Sequence, residues 1–235
     1  GPRPLVVMPH GGPELRDNYD FDLFAQAFAA QGWMVLQPNF RGSGGYGRAF
    51  AQAGHKHWQD LMQADIEDAA DQVIASGRVD RKRVAIWGAS YGGYAALMGA
   101  VRRPDFYRCA VSLAGVTNLA TMLAFDRRQD PDGMIYAYEI VRVGDPKTDA
   151  ALIASESPVN HASAITTPVL LLQGTKDKVV DPGQAREMAA ALKAAGKTCS
   201  YVELPGAGHH LNEWDEKTTK TILQTSVDFI AKALG

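Results

Sequence analysis

At 235 residues the chain is long enough for one α/β domain with a sizeable core. Hydrophobic residues make up 46%, charged residues 21%, and the formal net charge is −2, so the composition marks neither a nucleic-acid binder nor a binder of anionic membranes. No stretch approaches the ~20 apolar residues of a membrane span, and no signal peptide, repeat or low-complexity tract is visible.

The two cysteines, Cys109 and Cys199, sit in strand-like segments and read as buried, unbridged thiols that leave the redox compartment open. The expectation is a soluble protein, cytoplasmic or periplasmic, with oligomerisation left open.

Short apolar runs alternate with longer amphipathic ones. LVVMPH (5–10) predicts a buried strand, and FDLFAQAFAAQG (21–32) a helix ended by Gly32. WMVLQPN (33–39) predicts the next strand. Residues 58–76 predict a long helix with Leu61, Ile66, Ala69, Val73 and Ile74 on its apolar side. RVAIWG (83–88) is a strand, and YGGYAALMGAVRR (91–103) a helix stopped by Pro104. CAVSLAG (109–115), PVLLLQG (168–174) and CSYVELP (199–205) are strands; 182–196 and 216–234 are helices. An irregular insertion is expected at about 117–156. Continuous apolar strands joined by helices imply a mostly parallel sheet covered on both faces. In such sheets functional groups gather beyond the carboxyl ends of the strands.

Ser90 meets that test. It follows VAIWG, precedes a helix, and lies in Gly88-Ala-Ser-Tyr-Gly92, the Gly-x-Ser-x-Gly pattern of a strained nucleophile elbow. Tyr91 N–H would then face a developing oxyanion at a helix N-terminus. The competing structural role for Ser90 is helix capping. A serine nucleophile needs a base, and the base needs a carboxylate, in the chain order Ser, Asp, His. Asp177 follows strand PVLLLQG, with Asp181 as its rival. His209 follows strand CSYVELP, with His210 as its rival. His10-Gly11-Gly12-Pro13 follows the first strand, so Gly12 N–H, or Gly11 N–H second, is the further oxyanion donor. The competing account of this motif is an ordinary loop with a solvated His10.

With these motifs, the sequence resembles the catalytic domain of the prolyl oligopeptidase family of serine peptidases, in particular its acylaminoacyl-peptidase-like branch. HGGP (10–13), NFRGSGGYG (39–47), GASYGGY (88–94), SPVNH (157–161), QGTKD (173–177) and PGAGH (205–209) carry the resemblance. It implies an α/β-hydrolase fold with Ser90, Asp177 and His209 as triad, and Tyr91 and Gly12 at the oxyanion hole. It also implies an apolar pocket from Val116, Leu119, Met122 and Val180, favouring an apolar or aromatic side chain before the scissile bond. Family members carry an N-terminal β-propeller and further hydrolase strands before HGGP. Residues 1–235 therefore read as a C-terminal catalytic domain of a longer protein. His10 stands where other branches place a tyrosine. Val179, preceded by Lys178, stands where some relatives place a substrate-contacting arginine.

Other patterns fit less well. Gly42–Gly47 matches Gly-x-Gly-x-x-Gly, but a dinucleotide site wants a helix directly after the glycines, and the next one is expected only near 57. Arg41 fits a buried or loop-organising cation. His55 and His57 lack a carboxylate or cysteine cluster for metal and read as exposed. Met122, Phe125, Ile135, Tyr136 and Tyr138 fit either a pocket lining or the core of small cap helices. The expected function is a serine peptidase on short or N-acylated peptides, needing no metal or organic cofactor. A carboxylesterase using the same triad, or a non-catalytic binding domain, are the alternatives.

Overall fold

The computed structural model describes residues 1–130 and 132–235. Six strands form one sheet: β1 (Arg3–Val7), β2 (Met34–Leu36), β3 (Val79–Ala89), β4 (Ala110–Leu113), β5 (Val169–Gly174) and β6 (Cys199–Leu204). All neighbours are parallel, in the order β2-β1-β3-β4-β5-β6. The chain moves outward from β1 to β2, then returns across β1 to continue through β3. The direction of winding therefore reverses between β1 and β3, where such sheets open a crevice for ligands.

Alternate side chains feed two cores. Leu5, Val7, Val84, Ile86, Val169 and Leu171 point to one face. There they meet α3 (Leu61–Ala75), α4 (Tyr91–Arg102) and α8 (Gly183–Ala194). Val6, Ala85, Trp87, Val111, Leu170 and Leu172 point to the other, covered by α1 (Leu23–Ala30) and α9 (Glu216–Leu234). Burial on both faces is why the inner parts of these strands are nearly all apolar. Side-chain caps fix helix starts: Asp22 accepts from Ala25 N–H at 2.7 Å, and Asp215 from Thr218 N–H at 2.6 Å.

Several boundaries differ from expectation. β2 is only three residues long, at the sheet edge, and β3 begins earlier, at Val79. In α3 the buried stripe is Met62, Ile66 and Ala70, while Leu61 is exposed on the first turn. A five-residue helix, α2 (Arg48–Gln52), directly follows the glycine loop, where none was expected. The 117–156 segment is largely helical: α5 (Leu119–Gln129), α6 (Met134–Arg142) and α7 (Ala150–Ser155), followed by a 3-10 helix at Pro158–Ala164. Cys109 and Cys199 are both free; Cys109 is buried as expected, whereas Cys199, on the edge strand, is only half-buried, and burial pushes their thiols up to about 12 and about 11. Among the described residues no helix is long and apolar enough to cross a membrane.

Candidate active site

Ser90 sits at the end of β3 with φ 57° and ψ −123°, a strained region for any residue with a Cβ. The neighbouring glycines permit this sharp turn. A Cβ on Gly88 would run into the carbonyl of Gly92, and one on Gly92 into the carbonyl of Pro9. Strand, helix and the loop after β1 therefore close on one another with no room for side chains. The Ser90 hydroxyl makes no capping bond to α4, so its hydrogen bonding is directed elsewhere.

Its partner is His209, on the loop after β6, whose Nε2 lies 3.1 Å from Ser90 Oγ. His209 Nδ1 lies 2.8 Å from Asp177 Oδ2. The Asp177 carboxylate is buried and fully engaged. Its Oδ1 accepts Val179 N–H (2.9 Å) and Val180 N–H (2.8 Å), and its Oδ2 also accepts from Gln173 Nε2 (3.1 Å). Three contacts besides His209 therefore orient a carboxylate that in turn orients the imidazole. This role of Gln173 was not anticipated, although the residue opens the QGTKD motif and is the polar member of the otherwise apolar run PVLLLQG.

The rivals sit elsewhere. Asp181 Oδ1 accepts Gly183 N–H at 2.8 Å, at the start of α8. His210 opens a short 3-10 turn, with its backbone N–H held by Glu213 at 2.8 Å. His10 is buried rather than solvated: Nε2 lies 2.7 Å from Ser43 Oγ and Nδ1 2.7 Å from Gly11 O. Burial holds its pKa below the usual imidazole value.

Arg41 forks onto Asp65, with Nη2 2.6 Å from Oδ1 and Nε 2.8 Å from Oδ2, which pins the glycine-loop entry to α3. The glycine loop itself packs on the chain after HGGP, through Gly44 N–H to Leu15 O at 2.9 Å. His55 and His57 are half-buried rather than exposed and face single carboxylates, Glu14 and Asp60. Among the described residues no group of three potential ligands could hold a metal.

A cleft of about 240 Å³ opens beside Ser90, and Gly12 and Tyr91 both line it. Val116, Met122 and Val180 form part of its apolar wall, with Phe125, Trp58 and Ile135. Leu119 does not line it; its side chain is fully buried and its N–H donates to Ser157 Oγ at 3.0 Å. Tyr136 packs against the core, and Tyr138 is exposed and hydrogen-bonded to Glu14. Lys178 and Val179 line the cleft as well. Part of its lining is polar. Arg142 pairs with Glu139 at 3.1 Å, and burial raises Asp126 to about 6.

A parallel sheet with a serine at a strained elbow, and a carboxylate and a histidine at two later strand ends, is an α/β-hydrolase architecture. Comparison with known proteins narrows this. A model of the prolyl oligopeptidase family matches residues 19–235, and the chain belongs to that family. It is 35% identical over 237 residues to dipeptidyl aminopeptidase BIII of Pseudoxanthomonas mexicana, covering 100% of this chain and 34% of that protein. It is 31% identical to the human acylamino-acid-releasing enzyme, over 89% of this chain and 29% of that one. A Mycobacterium tuberculosis puromycin-hydrolyzing peptidase superposes with a TM-score of 0.92 at 29% identity, over 100% of this chain and 35% of that one. The chain thus spans about a third of the length of these relatives.

Proposed function

We propose that this chain is the catalytic domain of a serine peptidase acting on short or N-acylated peptides. The observation that carries the reading is the Ser90–His209–Asp177 relay, with the serine hydroxyl facing His209 Nε2 at 3.1 Å rather than capping its helix. Nothing in folding demands these three groups at three strand ends in hydrogen-bond sequence.

The chemistry follows from the geometry. His209 Nε2 takes the Ser90 proton as Oγ attacks the scissile carbonyl carbon, while Asp177 holds Nδ1–H and supports the imidazolium that forms. The oxyanion forms between Tyr91 N–H and Gly12 N–H. His209 then returns the proton to the leaving amine, which departs and leaves an acyl-enzyme. A water, deprotonated by His209, releases the acid and restores Ser90. None of these steps calls on a metal or organic cofactor.

Val116, Met122 and Val180 favour an apolar or aromatic side chain at the bond being cut. Leu119, fully buried and absent from the cleft lining, is given no substrate contact. The relatives' extra length suggests that a further domain, expected to be a β-propeller, limits entry to short chains.

Labelling with a fluorophosphonate, read by intact mass and peptide mapping, tests the nucleophile. One adduct on Ser90, absent in Ser90→Ala and in wild type blocked by a serine-hydrolase inhibitor, is the expected result. No adduct, or one elsewhere, would leave a non-catalytic domain as the better account.

A further inference from the structure

His10 touches no part of the Ser90–His209–Asp177 relay, yet it is buried and hydrogen-bonded through both ring nitrogens. We propose that His10 is a positioning residue for the oxyanion site, holding the Gly11–Gly12 peptide so that Gly12 N–H faces the carbonyl attacked by Ser90. This rests on the hydrolase function proposed above.

The proton placement is forced. Gly11 O only accepts, so His10 Nδ1 carries the hydrogen across that 2.7 Å contact. Nε2 is then the acceptor, and Ser43 Oγ–H donates to it at 2.7 Å. Burial favours this neutral ring, with one donor and one acceptor.

The bonded carbonyl belongs to the peptide unit whose nitrogen is Gly12. That unit is trans, so its C=O and N–H point in opposite directions. Anchoring the oxygen on His10 therefore aims the N–H the other way. The unit also runs beside the nucleophile: a Cβ on Gly11 would lie 3.5 Å from Ser90 Cβ. A hydrogen bond accepted by a peptide carbonyl also polarises the N–H of the same unit, making it a better donor.

The ring itself is fixed. It stacks on Phe40 with centroids 4.4 Å apart and planes 16° from parallel, and Phe40 packs on Tyr91 at 5.5 Å. Tyr91 supplies the other oxyanion N–H. One aromatic column thus ties together the two segments that carry the two donors.

The test uses the full-length protein with N-acetyl-leucine p-nitroanilide and p-nitrophenyl ester. His10→Leu should lower kcat by about 10–100-fold with KM within about twofold, because the lost alignment matters in the transition state. Asn places an amide N–H where Nδ1 stands, so His10→Asn should recover most of the loss. Gln places its amide near Ser43 instead, so His10→Gln should not. The Asn–Gln contrast decides the matter even where the Leu variant does not fold. Wild-type kcat in His10→Leu, a loss confined to KM, or equal losses in Asn and Gln would overturn the proposal. Wild-type protein that cleaves neither substrate would sink the hydrolase reading, and this inference with it.

Discussion

Gln173 and His209 share one oxygen of Asp177: Gln173 Nε2 lies 3.1 Å from Oδ2, and His209 Nδ1 lies 2.8 Å from it. Gln173 is fully buried, so this bond forms without competition from water. Gln173→Ala removes a buried bond to a charged acceptor, costing about 1.5–3 kcal/mol of stability. A looser Asp177 also misaligns His209. A loss of about 1.4 kcal/mol of transition-state stabilisation is tenfold in rate, so kcat should fall about tenfold with KM little changed. Steady-state kinetics and denaturant midpoints check both halves. An unchanged kcat would show that the backbone bonds from Val179 and Val180 suffice.

Gly92 marks a very tight approach at the elbow. Gly92→Ala drives a methyl into the Pro9 carbonyl, and backbone on both sides leaves little room to yield. Overpacking of this kind costs about 1–3 kcal/mol or more. Urea unfolding should show a lower midpoint together with a fall in activity, since the loop after β1 must move away from Ser90. A variant as stable and active as wild type would contradict the close packing described here.

Much of this arrangement was legible in the sequence, and for a physical reason. Strands buried on both faces must be apolar along their length, so β4, β5 and the buried end of β1 stand out as runs, whereas β6, at the sheet edge and mostly half-buried, is marked more weakly. Ser90, Asp177 and His209 each follow such a run directly. The cap region was less legible. α6 is amphipathic but only nine residues long, and its inner side chains, Tyr136 and Ile140, are only partly buried, so it did not stand out within the segment. α2 is too short to show a period. The partners of His10 and Gln173 were invisible for another reason: contacts such as His10–Ser43 join residues far apart in the chain, and no local pattern encodes them.

Glu156 predicts a pH dependence of stability. It is 1% exposed, and burial raises its carboxyl to about 7, Asp60 adding to the rise and backbone groups at Gln59 and Trp58 opposing it. A carboxyl raised in the fold binds its proton more tightly there than in the unfolded chain. Its contribution is complete below about pH 4.5 and is lost as pH rises through about 7. Glu156→Gln stays neutral and should remove that loss, worth roughly 1–3 kcal/mol. Denaturant midpoints at pH 5 and pH 8 in both proteins test this. An equal change in both would contradict it.

Met122 stands on the apolar wall of the cleft, whose lining also includes the carboxyls of Asp126 and Glu139. Met122→Ala should weaken the use of N-acetyl-phenylalanine substrates more than of N-acetyl-alanine ones, by about 5–30-fold in kcat/KM, about the effect of one or two lost methylene contacts. Equal effects on both would place the acyl side chain elsewhere.

The most direct test of the central claim is a matched pair of substrates carrying one N-acetylated apolar aminoacyl group, one as an anilide and one as a nitrophenyl ester. Wild type and Ser90→Ala are compared in the full-length protein. A serine peptidase cleaves both, and Ser90→Ala loses both by several orders of magnitude. Cleavage of the ester alone would contradict peptidase action and make the chain a carboxylesterase. Undiminished cleavage by Ser90→Ala would remove Ser90 from the chemistry.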